Sequence, residues 1–296
     1  PGGLDELTDL GVEATIDRLV DPDGNGIATD PSPWEGFVYH PEGQFRDQGV
    51  AALGSWLEHI VATDRPFENS LAWFWHDHFA VSIAVVQHLP TMQRHLELLR
   101  GTALGDFRTM IREVTTDPAM LVFLDGRTST GESPNENYGR ELLELYTLGV
   151  GNFTADDVRA AAVALTGWVT GERTVWEPLF LPSRHDATPQ TLLGVDGIND
   201  VDGVVGTAVA HPATAGFVAA KLAGHLLGPV DDVLIESLAT NFSDTGIEIR
   251  PQARAVLEVG VDRAGPPHDT APQPGSGGPR KATPAPPPAP THNAQH

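Results

Sequence analysis

Apolar residues return every three or four positions along most of this chain, the spacing of helices that each bury one face. From Leu4 to Leu19 the pattern predicts a helix pair broken at Gly11, with Leu4, Leu7, Leu10, Ile16 and Leu19 on the buried side. Arg46 to Thr63 forms the next helix, with Val50, Leu53, Leu57 and Ile60 inward. A helix starting at Ser70 carries Leu71, Trp75 and Phe79 on one row and Phe74 and His78 on the adjacent row. Its apolar arc is too wide for a surface helix, so deep burial is expected. Thr91–Leu99 and Phe107–Thr115 follow, and Asp117 with Pro118 starts a short helix through Leu124.

The most punctuated stretch runs from Ser133 to Trp168. Ser133 as cap, Pro134 at the first helical position and Glu136 three residues after the cap predict a capped start. Tyr138, Leu142, Leu145 and Tyr146 make the apolar stripe, and Gly149 supplies the left-handed stop. Thr154 caps a second helix with Asp156 and Asp157 in its first turn, and Val158, Ala161, Ala162 and Leu165 form its buried side. Glu136, Arg140 and Glu144, spaced i, i+4, i+8, share one face, where a solvated salt-bridge ladder is the plain explanation. Asn137 and Glu141 lie nearer the apolar stripe. Val169 to Asp202 loses the helical period and reads as a long loop or small hairpin. Helices resume at Asp202–Ala210, Pro212–Leu227 and Val233–Thr245, and a last one begins at Ile249.

Three segments, Phe74-Trp-His-Asp-His-Phe-Ala-Val-Ser82, Asp117-Pro-Ala-Met-Leu-Val-Phe-Leu-Asp-Gly126 and the run from Asn135 to Trp168, closely resemble the bacterial domain-of-unknown-function 1800 family in sequence and order. The resemblance extends from about Leu4 to about Leu257. It implies a mostly α-helical domain, exported or associated with the cell envelope, and no particular reaction. The expected architecture is a single multi-helix domain over residues 1–260 with an irregular loop region. A disordered Pro-rich tail is expected over 261–296. From Gly265 to His296 there are ten prolines and no Val, Ile, Leu, Met, Phe, Trp or Tyr, so the tail cannot bury enough apolar surface to fold. The family continues in helical sequence at this point. The departure reads either as a frameshifted or alternative terminus of a GC-rich gene or as a natural disordered linker.

Composition narrows the function classes. The formal net charge of −22 argues against nucleic acid, whose phosphates need a basic surface. No apolar run reaches the length of a membrane span. With no cysteine there are no disulfides, thiolate ligands or thiol nucleophile. The chain opens at Pro1 without Met or signal peptide, so any targeting segment is expected to have been removed or never included. Asp21-Pro-Asp-Gly-Asn-Gly26 imitates the start of a calcium loop but puts Ser32 where the bidentate Glu belongs, and is better read as a turn.

The candidate chemistry joins His76, Asp77 and His78 to Asn137, Arg140, Glu141 and His185-Asp186. Imidazole with carboxylate suits zinc, iron or manganese, so His76, His78, Glu141 and His185 are the candidate ligands of a divalent metal. His78, Glu141, Asn137 and Arg140 are the candidate catalytic residues. Residues two apart on a helix lie about 200° apart, so His76 and His78 cannot chelate one ion on an unbroken helix. Against each stands a bland alternative, a hydrogen-bonded core histidine for His78 and an Asp-capped turn for His185-Asp186. Two classes stay open: a hydrolytic envelope enzyme, metal-assisted or using Glu141 as general base with a His, or a non-catalytic helical module that binds a protein partner or surface polymer and whose polar motifs fix the fold.

Overall fold

A computed structural model describes residues 10–22, 24, 31–171 and 176–264. Backbone contacts divide the chain after Arg263, and the account below concerns the first unit. Among the described residues there are thirteen α-helices and two short antiparallel hairpins, so the fold is mostly α. Leu4 and Leu7, most of the calcium-loop imitation and the Pro-rich tail lie outside the described residues. No single described helix is long and apolar enough to cross a membrane; the longest apolar pair, Val201–Ala210 with Pro212–Leu227, bends by 75°.

The helix Pro66–Phe79 is the centre of the packing. Pro66 sits in its first turn, four residues before the start expected from the sequence, and Ala80 ends it in the left-handed conformation at φ 51°. Phe67, Leu71, Phe74, Trp75, His78 and Phe79 are all buried, which accounts for the wide apolar arc. It packs against Val12–Val20, Phe45–Ala62, Leu89–Thr102 and the stretch Leu142–Thr147. The irregular region resolves into two hairpins, Trp168–Thr170 with Pro178–Phe180 and Gln190–Leu192 with Val195–Ile198.

Two elements depart from the expected detail. In Phe45–Ala62 the buried residues are Ala52 and Trp56, while Val50, Leu53 and Leu57 are exposed. Trp56 turns the helix: its ring packs 6.1 Å from Trp34 and 5.1 Å from Trp73, and one large aromatic outweighs three aliphatics on the neighbouring stripe. In the hairpin the cap is Asn135, not Ser133; its side chain accepts from the Tyr138 N–H and donates to the Leu124 carbonyl, whereas Ser133 closes a turn with Thr130. Pro134 therefore precedes the helix.

Glu136–Glu141 and Ala155–Ala164 cross at Gly139, where the backbones touch. A methyl group at Gly139 would stand 2.7 Å from the Val158 carbonyl oxygen and 3.0 Å from the Ala162 nitrogen, both main-chain atoms that cannot swing aside. Gly139→Ala is expected to cost about 1–3 kcal/mol by overpacking. Gly101→Ala, in a helix with open space around it, is expected to stabilise by roughly 0.5–1 kcal/mol. Urea unfolding of the two variants checks the contrast, and equal midpoints would show that the crossing is not tight.

Candidate functional site

Leu142–Thr147 leaves the α-helical winding for a π-helix, with the Leu148 N–H donating to the Leu143 carbonyl at 2.8 Å and Thr147 Oγ1 to the Leu142 carbonyl at 2.7 Å. The chain then turns away at Gly149, φ 77°. Carbonyls near such an end lack helical donors. His78 supplies one, its Nε2 donating to the Tyr146 carbonyl at 3.1 Å. Lys221 Nζ donates to His78 Nδ1 at 3.2 Å and reaches the Leu145 carbonyl at 3.4 Å. Both ring nitrogens of His78 are thus engaged and its tautomer is set. Burial, then the Lys221 charge, push the His78 pKa down to about 3, against the bond to Tyr146. Burial also lowers the Lys221 pKa, with Asp77 opposing.

The other expected residues are distributed more widely. Asn137 and Arg140 are exposed and Glu141 is half-buried on the same helix. Burial, then the Glu144 charge, raise the Glu141 carboxyl above the usual range, with Arg140 opposing. His185 belongs to the hairpin region: its Nδ1 lies 3.0 Å from the Thr166 carbonyl, and Asp186 accepts from the Thr188 N–H at 2.9 Å, the capped-turn arrangement. It borders an open hollow lined by Thr130, Gly131 and Arg184. Among the described residues no three His, Asp or Glu side chains are gathered so as to hold a metal ion.

A different pairing forms around His76. His95, fully buried on Leu89–Thr102, stands with its ring centroid 6.2 Å from that of His76. Its Nδ1 donates to Asp117 Oδ1 at 3.0 Å, which leaves Nε2 with its lone pair outward. His95 Nε2 and His76 Nδ1 are both buried without a hydrogen-bond partner among the described residues, as is Asp117 Oδ2. Asp117 Oδ1 also caps Pro118–Phe123, accepting from Ala119 and Met120 N–H groups. Burial, then the neighbouring His95 ring, take the His76 pKa down to about 4, with Asp77 opposing. The sequence reading treated Asp117 only as a helix cap and passed over His95. The available signal was a histidine three residues after Met92 on the buried stripe of its helix, the same kind of placement that singled out His78.

His76 also lines a cleft of about 410 Å³ whose walls are Trp34, Trp56, Trp73, Leu53, Met92 and Leu96 among others. Two more buried donors without partners among the described residues, Trp56 Nε1 and Gln93 Nε2, belong to residues of the same lining. His76 also borders an adjoining hollow of about 380 Å³ with Asp77 and Ser82.

Compared with known proteins, residues 1–267 match the family model described as Protein of unknown function (DUF1800). No curated protein and no solved structure matches the chain.

The two buried imidazoles set a pH dependence. Above an ordinary histidine pKa of 6.5 both folded and unfolded chains carry them neutral, and their contribution to stability is complete. Between 6.5 and about 4 the unfolded chain takes up two protons that the folded chain does not, so stability falls as pH falls. The slope is roughly 1.4 kcal/mol per pH unit for each group. His78→Gln, which can still donate and accept, is expected to flatten this limb by about half. Urea midpoints measured from pH 7 to pH 4 check it, and a wild-type profile with no slope would contradict the assignment.

Proposed function

Since the chain belongs to the DUF1800 family, whose description names no activity, the function has to be read from its own surface, and we propose that this protein is a helical binding module whose tryptophan-walled cleft takes an apolar small molecule with one hydrogen-bonding end. The observation that carries the reading is the cleft itself. It has the volume of a small-molecule site and a mainly apolar lining, with His76, Gln93 and Arg46 as polar points against which a ligand head group can be oriented. Trp73, 47% exposed, and Leu53, 48% exposed, stand at the opening, where burial by a ligand removes apolar surface from water. His78 supports the non-catalytic class, because a ring engaged at both nitrogens fixes helices and has no lone pair left for chemistry. An exported or envelope setting for this module follows the family resemblance.

The hydrolytic class is favoured by one observation, the Asp117–His95 pair, in which a carboxylate orients an imidazole as it does beside a catalytic base. In that reading Glu141, its carboxyl raised by burial, is a second candidate base with Asn137 and Arg140 on its helix.

The cleft is tested with an uncharged fluorescent probe, N-phenyl-1-naphthylamine. One saturable site is expected, and Leu53→Asp, a charge placed at an exposed wall position, is expected to weaken it at least about tenfold while leaving thermal stability nearly unchanged. Absence of saturable binding, or equal affinity in the variant, overturns the reading.

A further inference from the structure

Two buried imidazole nitrogens that lack partners, on rings whose centroids stand 6.2 Å apart across a helix interface, are a costly arrangement unless something joins them. We propose that His76, His95 and Met92 form a site for a monovalent soft cation, Cu(I), at the inner wall of the cleft. A metal about 2 Å from one nitrogen of each ring lies ~3 Å from each centroid, so in a three-ligand site the two imidazole centroids stand roughly 5.4 Å apart. The observed separation is 6.2 Å. Closing that small difference is within the reach of side-chain adjustment at the partly exposed His76, and the donor set, not the spacing, selects Cu(I).

The third ligand is on the same helix as His95. Met92 precedes it by three residues, which puts both side chains on one helix face. Its side chain lines the cleft together with His76. Thioether and imidazole are the soft and intermediate donors that Cu(I) accepts, and the chain has no cysteine to offer instead. The charge balances as well. Three neutral ligands bring no charge to the metal, and the single positive charge is met one bond away by the buried Asp117 carboxylate, whose Oδ1 holds the His95 Nδ1–H. A carboxylate behind a ligating histidine fixes its tautomer and strengthens it as a donor. His76, partly exposed at the cleft wall, gives the ion a way in. The site does not depend on the cleft's organic ligand.

The test titrates metal-free protein with Cu(I) under reducing, oxygen-free conditions against a bicinchoninate competitor, and with Ag(I) as a redox-inert substitute. One equivalent of each is expected, and X-ray absorption of the loaded wild-type protein should show two imidazole nitrogens and one sulfur. Met92→Leu, close in volume, should keep the circular dichroism spectrum, lose the sulfur and weaken binding at least about tenfold. His95→Gln should abolish the stoichiometric site. No stoichiometric binding, a shell without sulfur, or unchanged affinity in both variants overturns the proposal. Because the wild-type absorption spectrum reads the ligands directly, the result stands even where a variant folds poorly, and probe binding in the cleft reports separately on the module reading.

Discussion

The buried ring of His78 donates its Nε2–H to the Tyr146 carbonyl and accepts at Nδ1 from Lys221, and these two bonds join Pro66–Phe79 to the π-helical turn and to Pro212–Leu227. Without that ring a terminal carbonyl and an ammonium would each lose a partner in the same apolar surroundings, a penalty of a few kcal/mol rather than a few tenths. Tyr146 adds to the joint from the other direction, its hydroxyl donating to the Phe79 carbonyl at 3.3 Å. This aromatic-rich, largely buried helix is therefore held in place by polar contacts at its C-terminal end. A buried polar network of this kind selects one arrangement of helices among the many that bury the same area.

His76, two residues earlier, has the opposite role because the helix turns it to the other side. There it meets Trp56, Trp73 and His95 instead of backbone acceptors. About half a helix turn thus divides a structural histidine from one with an uncommitted nitrogen, and the motif that looks like a single signature in sequence enters two separate surroundings.

Much of the fold was legible in the sequence because helix periods and stop signals are local. Thr154 caps its helix and Gly149 turns left-handed after the preceding one, as the sequence implied, and Asp157, expected only as a first-turn acid, completes a capping box. What failed was information held in tertiary contacts. Asn135 won the cap from Ser133 because its amide also reaches the Leu124 carbonyl, a partner eleven residues away. Val50, Leu53 and Leu57 have a respectable buried-stripe spacing, yet Trp34 and Trp73 draw the Trp56 side of that helix inward instead. The i, i+4, i+8 alignment of Glu136, Arg140 and Glu144 assumed α-helical winding, which gives way to π-helix at Leu142, between Arg140 and Glu144. His95 was passed over because its partner, Asp117, is twenty-two residues away and had an adequate local explanation as a cap.

The three hydrogen bonds at Asp117 converge on a single oxygen: Oδ1 accepts from Ala119, Met120 and the His95 ring, while Oδ2 has no partner among the described residues. An amide side chain in the same rotamer would present the same oxygen to all three donors and differ only at the idle position. Geometry and charge are consequently separable at this residue. The cap and the ring orientation belong to one atom and the negative charge to the group as a whole, so asparagine isolates the charge, whereas alanine would remove the start of one helix and the anchor of another together.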